Sequence, residues 1–117
     1  MKYIPVPAAV EIIDIEGNPL KFAGETEKLT FEKFVLARLT DPQFAGSMAN
    51  VMAAVSIRDA VKSASAGFVE IENEHYELLS QIVKNPSPAA GYPPGLAHNL
   101  VPFMRAIVNE ALDKKPG

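Results

Sequence analysis

Cysteine and tryptophan are both missing from the 117 residues. Without thiols the chain can form no disulfide, no thiolate zinc site and no cysteine nucleophile, so nothing marks an oxidising compartment and a reducing cytoplasm is the expected setting. An excess of basic charge is missing too, with 11 Lys and Arg against 14 Asp and Glu for a net charge of -3. The basic residues are scattered singly apart from Lys114 and Lys115, which leaves no electrostatic footprint for nucleic acid or an anionic lipid surface. No apolar run approaches the roughly 20 residues of a membrane span. The opening Met1-Lys2-Tyr3-Ile4-Pro5-Val6-Pro7 lacks the continuous apolar core of a signal peptide. The expectation is a soluble, cytoplasmic protein with neither a nucleic-acid nor a membrane partner.

Local catalytic signatures are also lacking. Ser47, Ser56, Ser63, Ser65, Ser80 and Ser87 have no Gly-x-Ser-x-Gly context. There is no His-Glu-x-x-His, no Gly-x-x-x-x-Gly-Lys and no Gly-x-Gly-x-x-Gly. Carboxylates that meet only in three dimensions need no such motif, but a chain this short without any of them reads as a non-enzyme with no cofactor.

What is present is a strongly periodic sequence of one-domain length, able to bury roughly two thirds of the surface its unfolded form exposes. Residues 1–7 alternate apolar side chains with two prolines and read as an extended arm in which proline prevents ordinary internal strand pairing. Tyr3, Ile4 and Val6 carry more apolar surface than a free tail should, so the arm docks either on a partner or on its own domain. Residues 8–115 form the domain proper. Val10 to Ile15 is rich in β-branched residues and is followed by Glu16-Gly17-Asn18-Pro19 and Leu20-Lys21-Phe22, which predicts a β-hairpin.

Thr30 is a good N-cap for a first helix whose Phe31, Phe34, Val35 and Leu39 share one face, with Glu32, Lys33 and Arg38 directed away. Asp41-Pro42 then predicts an immediate second helix reaching about Ser63. No charged side chain stands between Asp41 and Arg58. Phe44, Met48, Val51, Met52 and Val55 form one face of that helix, opposite a smooth face of Gly46, Ala49, Ala53 and Ala60. Such a helix belongs in the middle of the fold or in a subunit contact. Met48 and Met52 could make an adaptable binding surface, but their spacing continues the stripe and core packing is preferred. Phe68 to Glu72 alternates as a half-buried strand, and Asn73 can cap a third helix carrying Tyr76, Leu79, Ile82 and Val83. A last helix is predicted from Asn99, with a stripe of Leu100, Phe103, Met104, Ile107, Val108, Ala111 and Leu112, and with Lys114 and Lys115 at its C-terminal end.

Between the last two helices runs "NPSPAAGYPPGLAHN", residues 85–99, whose Pro86, Pro88, Pro93 and Pro94 stiffen residues 85–98 into more than a flexible joint. It is read either as a cover over the core or as a binding loop anchored by Tyr92 and flanked by Pro93 and Pro94, with His98 beside it at a helix start. The other polar concentration, Glu70-Ile71-Glu72-Asn73-Glu74-His75-Tyr76-Glu77, offers carboxylates and an imidazole for a metal. A solvated strand face followed by an acidic helix start accounts for the same residues, and no metal site is expected.

The proline-containing arm, "LTFEKFVLARLTDPQF", the nearly uncharged helix ending "SIRDAV", "GFVEIENEHYELL" and "GLAHNLVPFMRAI" together resemble the small accessory proteins of bacteriophage structural and assembly modules. That resemblance implies a virion or tail component, a connector or an assembly chaperone, placed in the host cytoplasm or the virion. The residues themselves predict an α+β fold, mainly α, with about four helices and a small N-terminal hairpin sheet. The expected function is non-catalytic interaction with a protein partner, or with itself as a homo-oligomer, through Tyr3, Ile4, Val6, Tyr92, Pro93, Pro94 and His98. The alternative is a sponge-like oligomeric binder of a small ligand, with its pocket near the proline-rich loop.

Overall fold

In the computed structural model, which describes residues 1–18, 21–22, 25–26, 28–64, 67–90 and 97–116, the chain opens as a strand. Lys2–Pro5 (β1) pairs antiparallel with Phe68–Ile71 (β6), Ile4 opposite Val69 and Pro5 opposite Phe68. The expectation that prolines keep this segment out of internal pairing is therefore corrected, and the ladder explains why. The Val6 amide donates to the Gly67 carbonyl at 2.9 Å, while Tyr3 exchanges hydrogen bonds with Leu112 on the opposite edge. Even-numbered amides thus face β6 and odd-numbered positions, Pro5 and Pro7 included, face away. A missing N–H costs the ladder nothing there.

Val10–Glu11 (β2) pairs with Lys28–Leu29 (β5), and Lys21–Phe22 (β3) with Glu25–Thr26 (β4). These pairings differ from the expected hairpin between residues 10–15 and 20–22. Its turn is nonetheless formed: the Asp14 carboxylate accepts from the Glu16 and Asn18 amides at 2.9 Å, and Gly17 takes the left-handed φ of +94° that the turn needs.

Helix α1 (Phe31–Arg38) starts where the sequence places it, with the Thr30 hydroxyl accepting from the Lys33 amide at 3.2 Å. Phe31, Phe34 and Val35 are buried. Arg38, expected to point outward, is only 8% exposed, because its Nη1 donates to the Ala90 carbonyl at 2.6 Å and its guanidinium lies over the Phe34 ring. Asp41 caps a 3-10 turn, Pro42–Ala45, and not the second helix itself. Helix α2 (Met48–Lys62) begins afresh at Ser47, whose hydroxyl accepts from the Asn50 amide at 3.1 Å.

Helix α3 (Asn73–Lys84) buries Leu79, Ser80, Ile82 and Val83; Glu72 stands at its N-cap position without a side-chain bond. Another 3-10 turn, Ala97–Leu100, leads into α4 (Val101–Val108), with Pro102 in its first turn. This helix is shorter than its apolar stripe predicts. Beyond Val108 the chain leaves the helix so that Leu112 can bridge to Tyr3, and Lys114 and Lys115 lie past the helix end. One apolar cluster runs from Ile4 to Ile107, with Phe103 beside the rings of Phe31 and Phe34 at 6.0 and 5.6 Å. The α3–α4 contact is fastened by the Tyr76 hydroxyl donating to the Ile107 carbonyl at 2.8 Å. The fold is mainly α, with four helices and small two-stranded antiparallel sheets among the described residues.

Candidate interaction surface

Helix α2 touches α1, α3 and β6 with a single face. Ala53, Ile57 and Val61, each four residues from the next, are buried at 3%, 0% and 6% exposure. The opposite face carries Met48, Val51, Met52 and Val55 at 75%, 44%, 62% and 42%. The sequence reading takes this stripe as core or as part of a subunit contact; the core choice is corrected for these four side chains, since the helix has a solvent side. Phe44, grouped with them, is buried, but from the 3-10 turn before the helix. The anticipated smooth face is divided as well: Ala53 is buried and Ala49 exposed.

The exposure of this stripe has a local cause. Both sides of α2 are apolar for its first turns, so hydrophobic spacing alone does not choose between them. The choice is written further along. Asp59 lies four residues after Val55 and seven after Met52, Lys62 lies three after Asp59, and Arg58 flanks them. All three are exposed, and Arg58 pairs with its neighbour Asp59 at 3.1 Å. Extending the stripe to these charges was the signal available in the sequence, since ionic groups stay in water unless fully paired. The result is an uncharged apolar strip edged by Ala45, Ala49 and Ser56, which are also exposed. Exposed methionines are a feature of surfaces that adapt to a partner.

The residues expected to mediate interaction are dispersed. Ile4 is 1% exposed and belongs to the core of its own domain, so for this side chain the intramolecular choice holds. Tyr3 is half-buried, packed edge-on against Phe68 at 5.7 Å between ring centres, and Val6 is 38% exposed. His98 is half-buried with Nε2 3.1 Å from the Asp14 carbonyl, and next to it the Asn99 side chain both accepts from and donates to the backbone of Ile13, at 3.1 and 2.9 Å. Together these two residues fasten the 14–18 turn to the start of α4. Tyr92, Pro93 and Pro94 lie outside the described residues.

The described part of the proline-rich stretch is tied to the domain by a buried carboxylate. Asp41, 2% exposed, accepts from the Gln43 amide at 2.8 Å, the Ser87 amide at 2.9 Å and the Ser87 hydroxyl at 2.6 Å. Burial by itself would raise its pKa, but the bonds from Ser87 and Gln43 outweigh burial and hold it below the ordinary carboxylate value. Its accepting positions are thus used in holding the fold.

Clefts elsewhere are less suited to a ligand. One of about 590 Å³, between the end of α2, β6 and the chain terminus, contains Glu70 and Lys115, which face each other at 3.9 Å. Another of about 420 Å³ adjoins Thr30, whose hydroxyl is engaged in capping. Glu70, Glu72, Glu74 and Glu77 are exposed, and among the described residues no three His, Asp or Glu side chains gather in a way that could hold a metal ion. No helix among those residues is long and apolar enough to cross a membrane. No protein-family model, curated protein or solved structure matches the chain.

Proposed function

We propose that this chain is a non-catalytic protein-interaction component of an assembly, and that the outward face of α2 is the surface through which it acts. The observation carrying this reading is the strip of Met48, Val51, Met52 and Val55, exposed at 42% or more along an uncharged helix face while, among the described residues, fifteen other apolar side chains form a buried core. The strip amounts to roughly 400 Å² of apolar surface, in the range that on monomers commonly proves functional. Leaving it in water costs solubility without benefit to folding, whereas covering it would stabilise a complex. A role in a bacteriophage structural or assembly module, in the virion or the host cytoplasm, is supported by the resemblance of the sequence to accessory proteins of that kind.

The test is the double substitution Met48→Glu with Met52→Glu in the full chain. Both sites are exposed, so the melting temperature should stay within a few degrees of the parent's. Retention of bound protein from cells that naturally carry the chain, or self-association at high concentration, should be lost. The reading is overturned if the variant melts about 10 °C or more below the parent, which would put the face in the interior. It is equally overturned if parent and variant have the same mass and retain the same proteins.

A further inference from the structure

We infer that the strip on α2 is closed by a second copy of this chain, the two α2 helices lying antiparallel about a two-fold axis beside Val51 and Met52. The inference rests on the interaction reading above and names its partner. Closed two-fold association needs a surface complementary to itself. About an axis between residues 51 and 52, Met48 of one copy stands level with Val55 of the other, and Val51 level with Met52. Each of the four exposed apolar side chains therefore meets another of the four.

Charge fixes the direction. The strip continues at helical spacing into Asp59 and Lys62, with Arg58 beside them, whereas positions 42–57 carry no charged side chain. A parallel pair would set Asp59 against Asp59 and Lys62 against Lys62 of the second copy, and like charges facing each other oppose association. In the antiparallel pair these residues pass beyond the apolar overlap, Arg58 and Asp59 level with the uncharged Pro42–Ala45 turn and Lys62 level with Asp41 at its head. Asp59 then lies just outside the other copy's α2 N-terminus, where the positive end of the helix dipole favours an anion. Area sets the strength. Two strips of roughly 400 Å² remove at most about 800 Å² of surface, short of the roughly 1,200 Å² of a stable complex, so the dimer is weak and reversible.

The absence of cysteine from these 117 residues makes single replacements clean reporters in this chain. With the axis beside residue 52, a Met52→Cys chain has its two thiols nearly level and should oxidise to a cross-linked dimer. A Met48→Cys chain places its thiols about 10 Å apart along the helices, beyond the roughly 7 Å Cα separation that a disulfide spans. A mixture of Met48→Cys and Val55→Cys chains should link again. The expected result is cross-linking of Met52→Cys, and of the mixture, about tenfold faster than of Met48→Cys alone or of Ile15→Cys, a control on an exposed turn. Equal self-linking of Met48→Cys and Met52→Cys would mean parallel helices and overturn the proposal. Rates no higher than the control's, with monomeric mass up to about 1 mM, would eliminate the second copy. In that event loss of a different bound protein by the Met48→Glu, Met52→Glu chain would still uphold the interaction reading, so the two failures are separable.

Discussion

The phase of α2 can be tested with two truncations five residues apart. Ile57 is fully buried in the cluster beneath the helix and Met52 is 62% exposed above it. Ile57→Ala removes three carbons from a site with no solvent access. The lost transfer energy and the residual cavity together should cost about 2–5 kcal/mol. Met52→Ala removes side-chain atoms that mostly contact water already, and alanine is the better helix former, so the change should lie within about 0.5 kcal/mol. For a domain of this size each kcal/mol moves the melting temperature by roughly 4 °C, so the two variants should differ by about 6–20 °C. Circular dichroism at low micromolar concentration keeps self-association from contributing, and a urea titration checks that the slope, hence the unfolded reference, is unchanged. A Met52→Ala loss equal to or larger than that of Ile57→Ala would refute the assigned phase and the interaction surface with it.

Removing apolar bulk from β1 should be felt in folding: Ile4→Ala is expected to cost about 2–5 kcal/mol, read as a lower urea midpoint, and a change below about 0.5 kcal/mol would mean that the strand is a detachable arm. Asp41→Ala strips a cap and leaves three donors without their carboxylate, for a loss of about 2–4 kcal/mol by thermal or urea unfolding. Because the folded-state pKa of Asp41 is lowered, its contribution is complete above the ordinary value of 3.8 and disappears as pH falls through the lower folded value. Parent minus Asp41→Asn stability should therefore be constant from pH 5 to 7 and narrow below about pH 4; a difference that instead widens with acidification would contradict the lowered pKa.

Much of the helical content is legible locally because its causes are local. Thr30 caps the helix it precedes, Tyr76, Leu79, Ile82 and Val83 recur on one face of α3, and Pro102 sits in the first turn of α4, where a missing amide does no harm. These choices are made within a few residues of chain. The candidate surface was half legible: its residues were singled out as one face, but core packing was preferred for them over a contact surface. Apolar spacing is the same seen from either side, and only the charges at Arg58, Asp59 and Lys62 mark which side meets water.

Other features depend on segments far apart in sequence, and composition does not encode their meeting. Prolines at 5 and 7 read as strand breakers until β6 arrives on the side of the even-numbered amides. Arg38 reads as a surface charge and Asp41 as a simple helix cap until the 87–90 segment brings a carbonyl to one, and an amide and a hydroxyl to the other, compensating their desolvation. The sequence by itself determined where α1 begins, which side chains can share a face, and which chemistries the composition excludes. Tertiary structure decided what the buried face of α2 packs on and that no other element covers its second apolar face: α1, α3 and β6 meet the helix on the side of Ala53, Ile57 and Val61, and the side that the charges at 58, 59 and 62 mark for water stays in water.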